Sequence, residues 1–209
     1  MRKLAKHLLT QWDIHSQKRP FLVAIDGLGG AGKTTLVKTL KAELKTQCLV
    51  HVLHIDDHIV ERNKRYDTGY EEWYEYYYLQ WNIEKMKCFF TKVHHEPTEL
   101  SLPVYNTTTD SIILKQLPLE PNSMLLIEGV FLQRTAWRSF YDFIVFVDCK
   151  EETRHQRVLN RDRYIGDYED RLHKYKRRYW PAEAYYMKTV EPIEKAHIVH
   201  HCASPNKMV

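Results

Sequence analysis

The residues whose order most directly implies chemistry are Gly27-Leu28-Gly29-Gly30-Ala31-Gly32-Lys33-Thr34, which match the pattern G-x-x-x-x-G-K-[ST]. Gly27, Gly29, Gly30 and Gly32, with the small Ala31 among them, let the backbone curl until successive N–H groups point into one concavity. A helix starting there adds its N-terminal dipole to the attraction for a polyphosphate. Lys33 would set a point charge beside the β- and γ-phosphates, and the Thr34 hydroxyl would ligate Mg2+. Thr35 would support the helix start or touch the α-phosphate. The chemistry implied is binding of a nucleoside triphosphate with magnesium.

Acids and arginines elsewhere suggest what happens to the phosphoryl group. In His54-Ile55-Asp56-Asp57-His58 an acidic pair follows an apolar run, where ligands of open α/β sheets bind. A carboxylate there can take the proton of an attacking hydroxyl and hold a water on Mg2+, or it can simply cap a helix. Leu125-Leu126-Ile127-Glu128-Gly129 ends a second such run in an acid able to reach magnesium through water. His54 and His58 lack a third ligand at metal-binding spacing. Arg154, Arg157 and Arg161 share one helical face, from which guanidinium groups can fold over a transferring phosphoryl or form a solvated basic surface. A GTPase is disfavoured, because Asn206-Lys207-Met208-Val209 has Val where guanine recognition requires Asp, and the Asp-x-x-Gly at Asp26 to Gly29 lies inside the phosphate loop.

The elements that must position these groups follow from periodicity. Leu4, Leu8 and Trp12 predict a helix over about 3–16, ended by Pro20. Phe21–Ile25, Leu49–Ile55, Met124–Ile127, Phe143–Val147 and Ala196–Val199 read as strands, the apolar runs expected of a sheet covered on both faces. Helices are expected over Thr34–Leu44, Tyr70–Trp81, Glu152–Arg163 and Trp180–Val190. Tyr70, Trp73, Tyr77 and Trp81 fall on one face of the second, as core or as a stacking wall. Pro97, Pro103 and Pro118 mark a loop-rich section. Strand and helix in alternation predict a parallel α/β sheet with helices on both faces.

Composition agrees with this. In 209 residues, 44% are hydrophobic and 31 Lys plus Arg face 27 acids, a net charge of +4 that suits anionic small molecules. No run approaches the length of a membrane span, and Met1–Thr10 lacks a secretion signal, so a cytoplasmic setting is expected. Cys48, Cys88, Cys149 and Cys202 form no Cys-x-x-Cys and are read as buried, reduced thiols.

In order, Gly27 to Thr34, Asp56-Asp57, Pro103-Val104-Tyr105, Ile127-Glu128-Gly129, the arginine segment and Tyr179-Trp180-Pro181 resemble the uridine kinase branch of the P-loop kinases, which also holds phosphoribulokinase and bacterial pantothenate kinase. The likeness runs from about Phe21 to Pro205. It implies one domain over 1–209 with the three-layer P-loop NTPase fold, a substrate-side insertion over 59–118 and an Arg-rich lid over 152–178. ATP is then the donor and a small-molecule hydroxyl the acceptor, a nucleoside first, a sugar phosphate or pantothenate-like alcohol second.

By the same resemblance Asp56 falls on the base, with Asp57 the second candidate. Thr34, Asp56 and Glu128 form the Mg2+ set, and Arg157, Arg161 and Arg163 the lid. Asp67 resembles the acid that holds a ribose diol, and Tyr105 lies on the acceptor side. The sequence departs from the branch at Asn106, where an Asp follows Pro-x-Tyr, and at Asp110, where a His reads the pyrimidine. The expected partners are ATP and the acceptor, without membrane or nucleic acid, and with self-association left open. A regulatory ATPase whose basic helix docks a partner is the alternative of a different class.

Overall fold

The computed structural model describes residues 2–15, 18–95 and 100–202, so Pro97 and the segment from Ala203 lie outside the described residues. Helix α1 (Arg2–Ile14) precedes β1 (Phe21–Asp26), and α2 (Lys33–Leu44) leads to β2 (Val50–His54). Next come α3 (Glu72–Tyr74), continued by a wider turn over Glu75–Leu79, and α4 (Ile83–His95). Strands β3 (Leu100–Asn106) and β4 (Ser111–Leu117) form a hairpin before β5 (Met124–Gly129), α5 (Thr135–Arg138) and β6 (Phe143–Asp148). Helices α6 (Glu151–Arg161), α7 (Tyr168–Lys174), α8 (Trp180–Val190) and α9 (Pro192–Lys195) then precede β7 (Ile198–His201).

The main sheet has five parallel strands in the order β2-β5-β1-β6-β7. Alternation along each strand divides the core into two layers. Leu22, Ala24, Leu125, Ile127, Ile144 and Phe146 face α4, α5 and α8, where Phe90, Trp137 and Tyr186 are fully covered. Phe21, Val23, Ile25, Leu126 and Val145 face α1 and α2, meeting Leu8, Leu36 and Leu40. Both layers are apolar because both faces of a parallel sheet are covered. The chain therefore has the P-loop kinase architecture of a sheet between two helical layers.

Between β2 and β5 the chain leaves the sheet. A helix was expected here over Tyr70–Trp81, and helical turns run over Glu72–Leu79; the part after it, expected to be loop-rich, contains α4 and the β3–β4 hairpin. Met86, Phe89, Phe90 and Val93 bury one face of α4, which explains the helix. Pro103 pairs with Leu114 inside the hairpin, tolerated because a two-stranded ribbon consists of edge strands. On the aromatic segment Tyr77 and Trp81 are buried and Tyr70 is 61% exposed, so the stripe is core at one end only.

The cysteine expectation is corrected. Cys149 and Cys202, 53 residues apart in sequence, are joined in a disulfide with Cα atoms 5.2 Å apart, while Cys48 is free and buried as expected and Cys88 is free but exposed. The pairing follows from β6 and β7 running side by side, which brings the residues just beyond their ends together. No helix among the described residues is long and apolar enough to cross a membrane.

Candidate active site

The fully buried β1 delivers Gly27 at the carboxyl edge of the sheet, with φ of 151°. A Cβ there would lie 2.7 Å from the Val147 carbonyl oxygen, so the close approach of the loop to β6 requires glycine. Gly32 ends the loop in the left-handed region and caps α2 without a side-chain hydrogen bond, which leaves the first N–H groups of the helix open to an anion. Beneath the loop, Asp26 accepts from the Gly27 N–H (2.8 Å), Gln133 Nε2 (3.1 Å) and the Tyr186 hydroxyl. Burial pushes this carboxyl above its ordinary value against those hydrogen bonds.

Lys33 and Thr34 open α2 and point to the transfer side. Lys33 Nζ donates to the Leu28 carbonyl at 3.0 Å. Burial lowers its pKa, and Glu128 is the largest of the acids that oppose the shift. The Thr34 hydroxyl donates to Glu128 Oε1 at 3.1 Å, and His54 Nδ1 lies 2.8 Å from the same oxygen. Asp56 follows β2 in the turn Ile55–His58. It lies in a cleft that solvent enters, yet surrounding protein raises its pKa, with Lys33 the main opposing influence.

These groups line one cleft of about 580 Å3 with Gly29, Gly30, Arg161, Tyr105 and Glu183. Its far wall carries Arg62, Arg65 and Tyr66, with the Arg65 guanidinium 4.9 Å from the Tyr66 ring centre and 5.2 Å from that of Tyr105. Behind it the Arg178–Glu75 pair (2.9 Å) is buried, and Arg178 also donates to the Arg65 carbonyl and to Gln80. A second cavity, of about 640 Å3, opens on the other side of the loop between Ala31, Gly32, Thr35, Leu36, Arg157, His201 and Cys202. Loop and helix start thus separate the two cavities, with Lys33, Thr34, Asp56 and Glu128 on one side and Thr35 and Arg157 on the other.

The residues singled out in the sequence are distributed unevenly. Gly29, Gly30, Lys33, Thr34, Asp56, Tyr105, Glu128 and Arg161 converge on the cleft, and Ala31, Gly32, Thr35 and Arg157 on the second cavity. Arg157 Nη1 donates to the Gly30 carbonyl at 3.1 Å. Asp57, Asp67 and Arg163 line neither; Asp67 occupies a left-handed turn with φ of 56°, and Arg163 bonds to the Asn160 carbonyl. Asp110 accepts from the Arg62 N–H (2.8 Å) and the Tyr105 hydroxyl (2.9 Å). The His54–Glu128 contact, the Arg62–Arg65 wall and Glu183 carried no sequence pattern, since each depends on partners distant in the chain.

The fold and this site define a P-loop kinase that carries phosphoryl from ATP to a small acceptor. The sequence matches the phosphoribulokinase/uridine kinase family over residues 22–204, and the chain belongs to that family. It is therefore a kinase with an alcohol group as acceptor. Among solved structures, a possible uridine kinase from Bacillus stearothermophilus is 39% identical, with a TM-score of 0.77 over 95% of this chain and 98% of that one. A uridine kinase of Lactiplantibacillus plantarum is 26% identical over 155 residues, 71% of this chain and 70% of its own length. Phosphoribulokinase from Rhodobacter spheroides, 16% identical with a TM-score of 0.54, covers 81% of this chain and 68% of its own and shares the fold.

Proposed function

We propose that the chain transfers the γ-phosphoryl of ATP to a hydroxyl of a nucleoside held in the Asp56 cleft. The observation that carries this reading is the convergence of Lys33, Thr34–Glu128 and Asp56 on one cleft whose opposite wall comes from the inserted segment. Resemblance to relatives described as uridine kinases supports a nucleoside as the acceptor. The loop amides and Lys33 hold the β- and γ-phosphates, Thr35 and Arg157 face the base side, and Asp56 takes the proton of the attacking hydroxyl. Arg161 compensates charge on the moving phosphoryl from the cleft wall. Tyr105 presents its ring to the acceptor; Asp57, Asp67 and Arg163 would need a closing movement to take part.

The donors present suit magnesium. Among the described residues no cluster of three His, Cys, Asp or Glu could enclose a metal, but Thr34, Glu128 and Asp56 offer hard oxygens to an ion that keeps waters and phosphates as its other ligands. When bound, the ion neutralises charge on the β- and γ-oxygens. His54 donates to Glu128, which fixes that carboxylate toward Thr34.

Arg62 and Arg65 favour a second reading, in which the acceptor alcohol itself carries an anionic group, as a sugar phosphate does. Asp110 faces the Arg62 backbone and Tyr105 rather than offering the histidine edge of the uridine kinase branch. ADP release from ATP and Mg2+ across nucleosides, sugars, sugar phosphates and pantothenate, with Lys33→Ala as blank, decides between them. Stimulation by uridine or cytidine supports the first reading, and stimulation only by a phosphorylated sugar replaces it with the second. No stimulation by any acceptor would overturn both.

A further inference from the structure

The apex of the phosphate loop is gripped from outside by two helices. Glu183, in the first turn of α8, accepts the Gly29 N–H on Oε1 at 2.7 Å. Its other oxygen accepts from Arg154 Nη1 of α6 at 2.9 Å, and the pair is nearly buried, with side-chain exposures of 9% for Arg154 and 7% for Glu183. Arg154 Nη1 also lies 3.4 Å from the Gly29 carbonyl, and its Nε donates to the Cys149 carbonyl at 3.2 Å. The α6 backbone presses on the next loop residue, since a Cβ on Gly30 would lie 2.6 Å from the Arg154 carbonyl oxygen. Both polar groups of the Gly29 peptide region thus meet one charge pair.

The place of this contact sets its consequence. Gly29, Gly30 and Glu183 border the cleft with Asp56 and Glu128, whereas Ala31, Gly32 and Thr35 border the base-side cavity. A constraint on Gly29 therefore acts at the end of the loop nearest the transferred phosphoryl. Glu183 offers no donor, and its charge is matched by Arg154. Its action on a phosphate is through the direction of the loop.

We infer that Glu183 is a positioning residue: paired with Arg154, it fixes the Gly29 apex so that the loop is shaped for the γ-phosphoryl rather than for the α- and β-phosphates. Arg154, on the same helical face as the proposed lid arginines, serves this clamp and does not close over the nucleotide. The inference rests on the kinase reading and adds a residue to its machinery.

The test measures ATP and ADP affinity by calorimetry, together with thermal melting and kcat with an activating acceptor. It compares wild type with Glu183→Ala, Glu183→Gln and Lys33→Ala. A lost charge-assisted hydrogen bond corresponds to about ten- to a hundredfold, so Glu183→Ala should lose that much in kcat and in ATP affinity while ADP affinity moves less than about threefold. Glu183→Gln keeps an oxygen for the Gly29 N–H and should recover part of the loss; it also keeps the side-chain volume if the alanine variant fails to fold. Equal weakening of ATP and ADP in both variants, or an ATP-to-ADP preference and kcat unchanged in both, overturns the inference. Failure of the kinase reading would instead appear as Lys33→Ala binding ATP like wild type.

Discussion

Asp56→Asn separates the role of the acid from that of the loop. The substitution is nearly isosteric at a residue that solvent can reach, so it leaves the fold unchanged. Its electrostatic effect follows from its neighbours: Asp56 is close enough to Lys33, Glu128, Asp57 and Arg161 for each to influence it. Neutralising it removes one negative charge beside an incoming polyphosphate, while Lys33 keeps Glu128 as its foremost acidic neighbour. Affinity for ATP without Mg2+ is therefore expected to stay within about threefold of wild type or to rise, because a solvent-reached charge is screened, while any added loss with Mg2+ reports the share of Asp56 in holding the ion. The chemical step loses its general base, which contributes about 10²–10⁴-fold. The assay is calorimetric ATP titration beside initial rates of ADP release with saturating acceptor, with Asp57→Asn as control, since that carboxylate lines neither cavity. Turnover retained in Asp56→Asn refutes the assignment, and loss confined to Asp57→Asn moves the base by one residue. Loss of ATP binding with loss of turnover would make Asp56 a phosphate-side group and not the base.

Tyr186→Phe removes a hydroxyl donor to the buried Asp26 under the loop and should cost about 1–3 kcal/mol, read as a lower melting temperature. Arg178→Met leaves Glu75 without its partner in a pair whose side chains are 0% and 3% exposed; breaking such a pair costs about 3–5 kcal/mol, measured by urea unfolding. The Glu75 pKa is lowered although burial alone would raise it, because Thr68 and Arg178 outweigh burial. The stabilisation from the Arg178 and Thr68 contacts should therefore be complete above about pH 4.5, Glu75's ordinary value, and fade as pH falls through the lower folded value, a dependence weakened in Arg178→Met, where Thr68 alone opposes burial. The Cys149–Cys202 bond closes a 53-residue separation, worth about 4 kcal/mol by chain entropy, so a reductant should lower the melting temperature of wild type and not of Cys202→Ser.

The parts of this molecule legible in its sequence are those whose cause is local. The strand before Gly27 is buried on both faces and so is apolar without interruption, and the glycine loop follows it in a pattern contiguous in sequence, although the contacts that crowd Gly27, Gly29 and Gly30 come from Val147, Glu183 and Arg154 far along the chain. Helix α4 was legible in principle, since Met86, Phe89, Phe90 and Val93 keep a helical spacing, but neighbouring prolines outweighed it. The hairpin was harder: its outward residues include Leu114 at 73% exposure, so alternation of polar and apolar residues fails there. The disulfide could not be read at all, because it depends on β6 and β7 being neighbours in the sheet.

The same distinction divides the site. Lys33 and Thr34 are placed by the loop that contains them, and Asp56 and Glu128 by the ends of adjacent strands, so strand order alone brings all four together. The acceptor wall has another origin. Arg62 and Arg65 are ordinary basic residues in a polar stretch until Arg178, 113 residues beyond Arg65, bonds to its carbonyl and pins the segment against Tyr66. Glu183 acts on Gly29 across 154 residues. The proposed acceptor wall and the shape of the loop therefore depend on contacts between segments that the sheet and its crossing helices bring together, which is why residues matching a motif point to the reaction while the residues of that wall carry no motif.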